Sequence, residues 1–236
     1  DIRGQGMGKL LLNSRRDEGV SAVYVSERSQ LTWNAVKGLG GPVPEGRSDP
    51  SGAFLDRGVE CRYISEYQVE RGGIAERGLK LLFLPGVVSL SEKERQALRD
   101  FVRGGGTLVA DGHAGLRNEH GTWLGDAFLQ ELFGAAPGGG NVRPAESNVV
   151  LAAEASDFPL PALRRLGGFA VNRTGPDVAL AGGTALGQFT GGGPAIIAKK
   201  NGTGKCLLVN FALPPAATNG ISAALASDLA ALAGVG

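Results

Sequence analysis

The sequence has few of the residue types from which metal, disulfide and nucleophilic sites are built. It holds 2 cysteines and 2 histidines in 236 residues. Cys61 and Cys206 lie far apart in apolar, strand-like segments, and neither comes at zinc-ligand spacing from His113 or His120. The sequence therefore predicts no metal site, no cofactor and no disulfide framework, and we expect both thiols to be reduced and unpaired.

An excess of charge of one sign is also missing. Lys and Arg number 24 against 23 Asp and Glu, which gives a formal net charge of +1. Such a balance offers no electrostatic attraction for nucleic acid or for an anionic membrane surface. We therefore expect neither partner.

Long apolar runs and targeting segments are absent as well. The sequence has no run of about 18 apolar residues and no signal peptide, so we expect a soluble protein whose compartment is unknown. The chain starts at Asp1 without a methionine and ends abruptly at Gly236. We expect it to be a segment of a longer polypeptide or a processed form.

Short apolar runs alternate with amphipathic segments through residue 135. Four of the runs predict strands, at about 20–25, 60–64, 80–84 and 107–110. Their apolar residues are nearly continuous, which is typical of parallel strands covered on both faces. The alternation predicts an α/β domain with a mostly parallel central sheet.

Three helices in this region have recognisable signals. The clearest begins at Ser91, where Ser91-Glu92-Lys93-Glu94 forms a capping box, and it ends at the glycine cluster 104–106. Ser29 is positioned to cap a helix that continues to Val36. A third helix is predicted from Trp123 to Phe133, with an apolar stripe for packing.

The pattern changes to short strands and turns after about residue 137. Asn201-Gly202 between two apolar runs is a strong hairpin signal. We expect these strands to extend the same sheet in a mostly antiparallel way. The prediction is one domain over residues 1–236, with 141–215 as a β-rich elaboration.

A resemblance to a known family is carried by residues 79–124, LKLLFLPGVVSLSEKERQALRDFVRGGGTLVADGHAGLRNEHGTWL. This segment resembles the beta-galactosidase trimerisation domain, the middle domain of glycoside hydrolase family 42, and more distantly the class I glutamine amidotransferases. Residues 20–33 and 193–213 fit the first strand and the late hairpin of the same domain type. The resemblance implies a flavodoxin-like, amidotransferase-like fold with helices on both faces of the sheet.

The amidotransferase comparison allows a chemical test of the segment after the 107–110 strand. Those enzymes carry a cysteine nucleophile on a sharp turn, in a Gly-Xaa-Cys-Xaa-Gly pattern. Here the frame is Asp111-Gly112-His113-Ala114-Gly115, and no histidine follows His120 to supply the usual downstream base. Without a thiolate and its base, acyl transfer of this type cannot proceed, and we predict no glutaminase activity.

Glycoside hydrolysis requires two carboxylates on opposed sides of the sugar. Asp111 and Glu119 share one loop, which suits that arrangement poorly. In family 42 the catalytic pair belongs to a separate barrel domain, so any glycosidase activity would belong to the parent protein. His113 is either a general acid or base or a polar loop histidine bonded to backbone, and Glu119 is either a loop-holding or a catalytic residue.

These observations leave three alternative functions. The first is a non-catalytic assembly domain of a larger carbohydrate-active protein, which contacts other subunits or domains, can form a homo-oligomer and frames a sugar site. The second is a stand-alone domain that binds a small molecule or carbohydrate. The third is a hydrolase that uses His113.

A ligand or partner surface is predicted at the carboxyl ends of the strands, between the first and third strands. The loops that reach this point carry hydrogen-bonding and stacking groups. They are Ser26, Arg28, Ser29, Trp33, His113, Asn118 and Glu119. The opposite end of the sheet offers mostly glycine-rich turns such as 104–106, where we expect little that a partner could recognise.

Overall fold

Helices and strands alternate along the described part of the chain, which comprises residues 6–14, 19–35, 51–138, 145–152, 155–173, 177–212 and 220–235 of the computed structural model. The helices are α1 (Met7–Asn13), α2 (Glu27–Ala35), α3 (Ser51–Leu55), α4 (Glu66–Glu70), α5 (Gly73–Glu76), α6 (Glu92–Arg103), α7 (Ala127–Phe133), α8 (Pro161–Arg164) and α9 (Ile221–Ala233). The strands are β1 (Ser21–Val25), β2 (Cys61–Ser65), β3 (Leu81–Leu84), β4 (Thr107–Ala110), β5 (Ala135–Pro137), β6 (Ala145–Leu151), β7 (Gly168–Arg173), β8 (Val178–Leu180), β9 (Thr184–Phe189), β10 (Pro194–Asn201) and β11 (Gly204–Val209).

Nine of these strands form one sheet in the order β2-β1-β3-β4-β11-β10-β9-β6-β7. The first five are parallel to one another, and the four predicted strands are among them. The remaining four pair antiparallel, and β10 and β11 form the hairpin that the Asn-Gly signal predicts. The mostly parallel sheet with an antiparallel extension is confirmed, and its first five strands have the flavodoxin-like order.

Both faces of the sheet are covered by helices. Leu82 and Leu84 of β3 belong to a buried cluster with residues of α6 and α7. Leu81 and Phe83, which point the other way, belong to a second cluster with residues of α3 and α9. This two-sided burial explains why the parallel strands have continuous apolar sequences instead of alternating ones.

The capping box at Ser91 is confirmed, but two predicted helix starts are wrong. The helix near residue 29 begins at Glu27, because Ser26 Oγ accepts a hydrogen bond from Ser29 N (3.0 Å) and so caps the helix in place of Ser29. Val36, its predicted end, lies outside the described residues.

The helix predicted from Trp123 begins only at Ala127. Trp123 instead forms a bridge with Arg117, whose guanidinium lies 5.6 Å from the indole, and Gly125 follows with a φ of 83°. That backbone conformation is incompatible with a helix and keeps the apolar pair Trp123 and Leu124 half-exposed on the surface.

Candidate functional site

A crevice opens at the carboxyl edge of the sheet, where β1 and β3 part. Their ladder ends at the pair Val23 and Phe83, while β1 continues to pair with β2 as far as Val25. β3 meanwhile stays paired with β4. The strands therefore diverge and leave a crevice of about 210 Å³, which we call the edge crevice, between Ser26, Tyr63 and Pro85. This is the switch point at which open α/β sheets bind ligands.

Two of the predicted site residues, Ser26 and Ser29, are buried beside this crevice. Ser26 Oγ donates a hydrogen bond to Glu66 Oε2 (2.9 Å). Ser29 Oγ donates to the Ser89 carbonyl (3.2 Å) and accepts from Ser89 N (3.0 Å). Their hydroxyls thus attach α2 to the loop after β3 and to α4.

Trp33 and His113, two further predicted residues, pack against each other in the interior. Their ring centroids are 4.8 Å apart at 75°, and Trp33 Nε1 donates to the Gly86 carbonyl (2.9 Å). Asp111 accepts hydrogen bonds from His113 N and from Gly86 N, and its Oδ1 lies 3.8 Å from His113 Nδ1. His113 is only 4% exposed, so its imidazole packs in the interior, and its role as a general acid or base stays untested.

The segment around His113 also lacks the backbone geometry of a nucleophile. A nucleophile elbow is a strained turn that leads directly from a strand into a helix. Residues 112–115 form turns, and the next helix begins only at Ala127. Within the described ranges, no residue other than glycine has a positive φ.

Asn118 and Glu119 lie on the surface loop that follows. Asn118 Oδ1 accepts hydrogen bonds from His120 N (3.0 Å) and Thr122 N (2.9 Å), so this side chain holds the loop. Glu119 is exposed, with Oε1 3.8 Å from His120 Nε2.

Arg28, the last predicted residue, is the centre of an ionic cluster that sequence reasoning missed. Its Nη1 lies 2.7 Å from Glu70 Oε1 and 3.1 Å from Glu94 Oε2, and its Nε lies 3.6 Å from Glu66 Oε1. Tyr24 donates a hydrogen bond to Glu94, and Ser91 donates one to Glu70 (2.7 Å). We call these residues the Arg28 cluster.

The electrostatics of the Arg28 cluster follow from its burial. Burial raises the pKa values of the Glu94 carboxyl and the Tyr24 hydroxyl, because each charged form would lose its hydration. The hydrogen bond from Arg28 and a second one from Ser91 lower the pKa of Glu70. The cluster joins β1, α2, α4 and α6, which gives these carboxylates a structural role.

The Arg28 cluster had only a partial signal in the sequence. Glu94 is recognisable as the N3 residue of the capping box that begins at Ser91, and Glu66 directly follows β2. Neither position indicates that the two carboxylates share one guanidinium, because their contacts with Arg28 join residues 38 and 66 positions apart.

Apolar side chains remain exposed at the same edge of the sheet. They form what we call the edge patch: Val25, Leu31, Tyr63 and Tyr67. Val25 and Tyr63 line the same crevice, and the Tyr67 ring lies 5.6 Å from the Arg28 guanidinium. Most of the predicted site residues thus lie beneath this edge, and the prediction that the edge contacts a ligand or partner stays a prediction.

Two negative findings apply to the described part of the chain. No three His, Cys, Asp or Glu side chains there are grouped to hold a metal ion. No helix in the same ranges has both the length and the apolarity that crossing a bilayer requires.

Solved structures with a similar fold include several glycoside hydrolases. A beta-galactosidase from Bacillus circulans sp. alkalophilus aligns over 98% of this chain with a TM-score of 0.74 and 18% identity. A beta-galactosidase from the Antarctic haloarchaeon Halorubrum lacusprofundi aligns over 94% with a TM-score of 0.68 and 19% identity. An exo-beta-1,4-mannosidase from Opitutaceae bacterium strain TAV5 aligns over 92% with a TM-score of 0.53 and 14% identity.

This chain is much shorter than those proteins. It spans 33%, 31% and 35% of their respective lengths. At these identities, the likeness shows the fold alone. No curated protein matches the chain in sequence.

The sequence of the chain carries a more specific relationship. Residues 75–233 match the family described as the beta-galactosidase trimerisation domain. The matched region runs from α5 to the end of α9 and includes all of residues 79–124, the segment that carries the resemblance. Because the match covers more than half of the chain, this chain belongs to the beta-galactosidase trimerisation domain family.

Proposed function

We propose that this chain is a non-catalytic assembly domain of a larger glycoside hydrolase of the beta-galactosidase type. The observation that carries this proposal is the family match over residues 75–233. The site geometry supports this proposal, because the polar side chains at the switch point form hydrogen bonds, ring contacts and ion pairs with other residues of the chain. Ser26 and Ser29 bridge secondary-structure elements, His113 is packed on Trp33, and Arg28 is paired with three glutamates.

Self-association of the chain is the first test. Sedimentation equilibrium of the 236-residue chain over a wide concentration range should give a weight-average mass that rises to three times the monomer mass. A purely monomeric chain at every concentration would contradict an assembly function.

The edge patch gives the proposal a second contact, with the part of the parent protein that carries the chemistry. Exposed aromatic side chains beside a crevice are typical of interaction surfaces. Arg28 and Trp33 are poor probes of this surface because both make interior contacts. Tyr63 and Tyr67 are better probes because they are more than half exposed.

The test of the edge patch is the double substitution Tyr63→Ser with Tyr67→Ser in the full-length parent. We expect altered glycosidase kinetics, chiefly a raised KM, with unchanged self-association by light scattering. A matched control replaces Val150 and Leu180, which are also about half exposed but lie on β6 and β8. If the double variant has the same kinetics as the control, the edge patch does not contact the catalytic part of the parent protein.

A second candidate function, binding of a small neutral ligand such as a monosaccharide, is favoured by the edge crevice itself. Tyr63 offers a ring face, Gln30 offers an amide, and Val25 and Val87 supply apolar walls. Ligand-observed NMR with methyl β-galactoside should then show binding that Gln30→Ala abolishes. The absence of any signal at millimolar sugar would remove this candidate.

A further inference from the structure

Helix α1 presents apolar side chains to solvent. Met7, Leu10 and Leu12 are 47%, 70% and 88% exposed, within the helix sequence MGKLLLN. A helix of 7 residues is too short to be stable by itself in water, and exposed leucines are the signature of a helix that is buried against a partner. We call these three side chains the α1 ridge.

An apolar groove of about 390 Å³ lies at the amino edge of the sheet, between α5 and α6. Its apolar walls are formed by Val69, Ile74, Ala75, Leu79, Ala97 and Phe101. Gly72 and Gly78 stand at its rim, where a built side chain would meet nothing within 4 Å, so another helix can approach closely. This end of the sheet therefore has an apolar surface besides its glycine-rich turns.

The α1 ridge and the groove complement each other in polarity. Lys9 is the one charged residue of α1, and among the described residues that line the groove the charged one is Asp100. The Asp100 carboxylate is exposed and already pairs with the exposed Arg103 (3.0 Å), so Lys9 of another copy would add to a surface pair. An apolar ridge therefore has a matching apolar groove on the same chain, and within the described ranges α1 does not line its own groove.

Threefold assembly requires this kind of pairing. A threefold ring closes only through heterologous contacts, in which two different surfaces of the chain meet around the ring. We propose that the α1 ridge of one copy docks into the α5–α6 groove of the next copy. The proposal rests on the proposed assembly function and adds the two surfaces through which the copies meet.

Two single-surface variants test the proposal by sedimentation equilibrium. The ridge variant carries Leu10→Asp and Leu12→Asp, and the groove variant carries Ala75→Arg, which fills the groove and repels Lys9. At concentrations where the wild type is trimeric, each variant should show a mass about threefold lower. Leu55→Asp and Ala231→Arg are the matched controls, because both positions are exposed on helices elsewhere, and both should remain trimeric.

A mixture of the two variants distinguishes heterologous contact from a loss of folding. Each variant retains one intact surface, so the equimolar mixture should form a heterodimer with twice the monomer mass, although neither variant associates alone. A mixture that stays monomeric would overturn the proposal, as would variants that remain trimeric, since assembly would then use other surfaces. A monomeric wild type would instead refute the assembly function itself.

Discussion

At the residue scale, Arg28 faces three carboxylates, of which Glu94 is fully buried and Glu66 nearly so. Removing one partner of a buried ion pair leaves an uncompensated charge. We therefore expect Arg28→Met to lower the free energy of unfolding by about 3 kcal/mol at pH 7, measured by urea denaturation. The control is Arg103→Met, whose exposed pair with Asp100 should be worth no more than about 0.5 kcal/mol.

The loss in the free energy of unfolding that Arg28→Met causes should depend on pH. In the wild type the lowered pKa of Glu70 contributes stability above the pKa of an unfolded glutamate, and this is lost as pH falls through the folded value. Without the guanidinium that contribution is gone, and the raised pKa of Glu94 rises further. Protonation then stabilises the variant as pH falls. The difference between the two proteins should shrink as pH falls from 7 to about 3, and a constant difference would contradict the electrostatic explanation.

The two cysteines, also a question of single residues, differ in their surroundings. Neither thiol forms a disulfide in the described part of the chain, and Cys61 is half-buried whereas Cys206 is buried in β11. Burial raises the pKa of the Cys206 thiol to about 12, so almost no thiolate forms at pH 8.

We predict that a thiol reagent such as DTNB labels Cys61 first in the native protein and both residues after denaturation, as followed by mass spectrometry. Denatured, non-reduced protein that is two mass units lighter and takes up no label would contradict the expectation of free thiols.

At the scale of elements, α8 obtains its N-cap from a different helix. Leu160 occupies the N-cap position of α8, and its apolar side chain cannot accept a hydrogen bond from the first turn. Asp228 of α9 instead accepts hydrogen bonds from Ala162 N and Leu163 N, both at 2.9 Å. These hydrogen bonds give two backbone N–H groups in the first turn of α8 an acceptor, and they hold α8 against α9.

We expect Asp228→Ala to lower the free energy of unfolding by about 2 kcal/mol, because two backbone N–H groups at a helix start lose their acceptor. The measurement is thermal or urea unfolding followed by circular dichroism. Asp157→Ala is the control, since its pair with Lys200 is exposed on both sides. Equal effects in the two variants would mean that the cap does not stabilise the helix pair.

At the scale of the whole molecule, the mostly parallel α/β fold carries His113 in the turn after β4, where the sequence comparison with amidotransferases places a nucleophile. His113 occupies the nucleophile position, is buried against Trp33, and lies in a turn that no helix follows directly. We predict no release of ammonia from glutamine by the wild type, measured with a coupled glutamate dehydrogenase assay.

The variant His113→Cys should also be inactive, because a thiol at this position would have neither a base nor a strained turn to expose it. Release of ammonia from glutamine at an enzyme-like rate, abolished by His113→Ala, would contradict the prediction of no glutaminase activity.

The sequence by itself determined the features that depend on neighbouring residues. Continuous apolar runs predict two-sided burial, which places the four strands of the parallel core. The capping box at Ser91 and the Asn201-Gly202 hairpin were predictable for the same reason, since each is a local backbone requirement. The family resemblance, carried by residues 79–124, is of this local kind too.

Only the tertiary structure decided which distant side chains meet. The Arg28 cluster joins residues 42, 66 and 70 positions apart in three of its contacts, and Asp228 caps a helix 65 positions away. The packing of distant elements placed Trp33 on His113 and buried Ser26 and Ser29, whereas Glu119 stayed exposed. The groove between α5 and α6 is lined by residues of α4, α5 and α6 and of the turns before β3 and β4, and no local pattern contains that arrangement. Local composition and residue spacing specify the helices and strands, whereas the side-chain clusters and grooves depend on how those helices and strands pack.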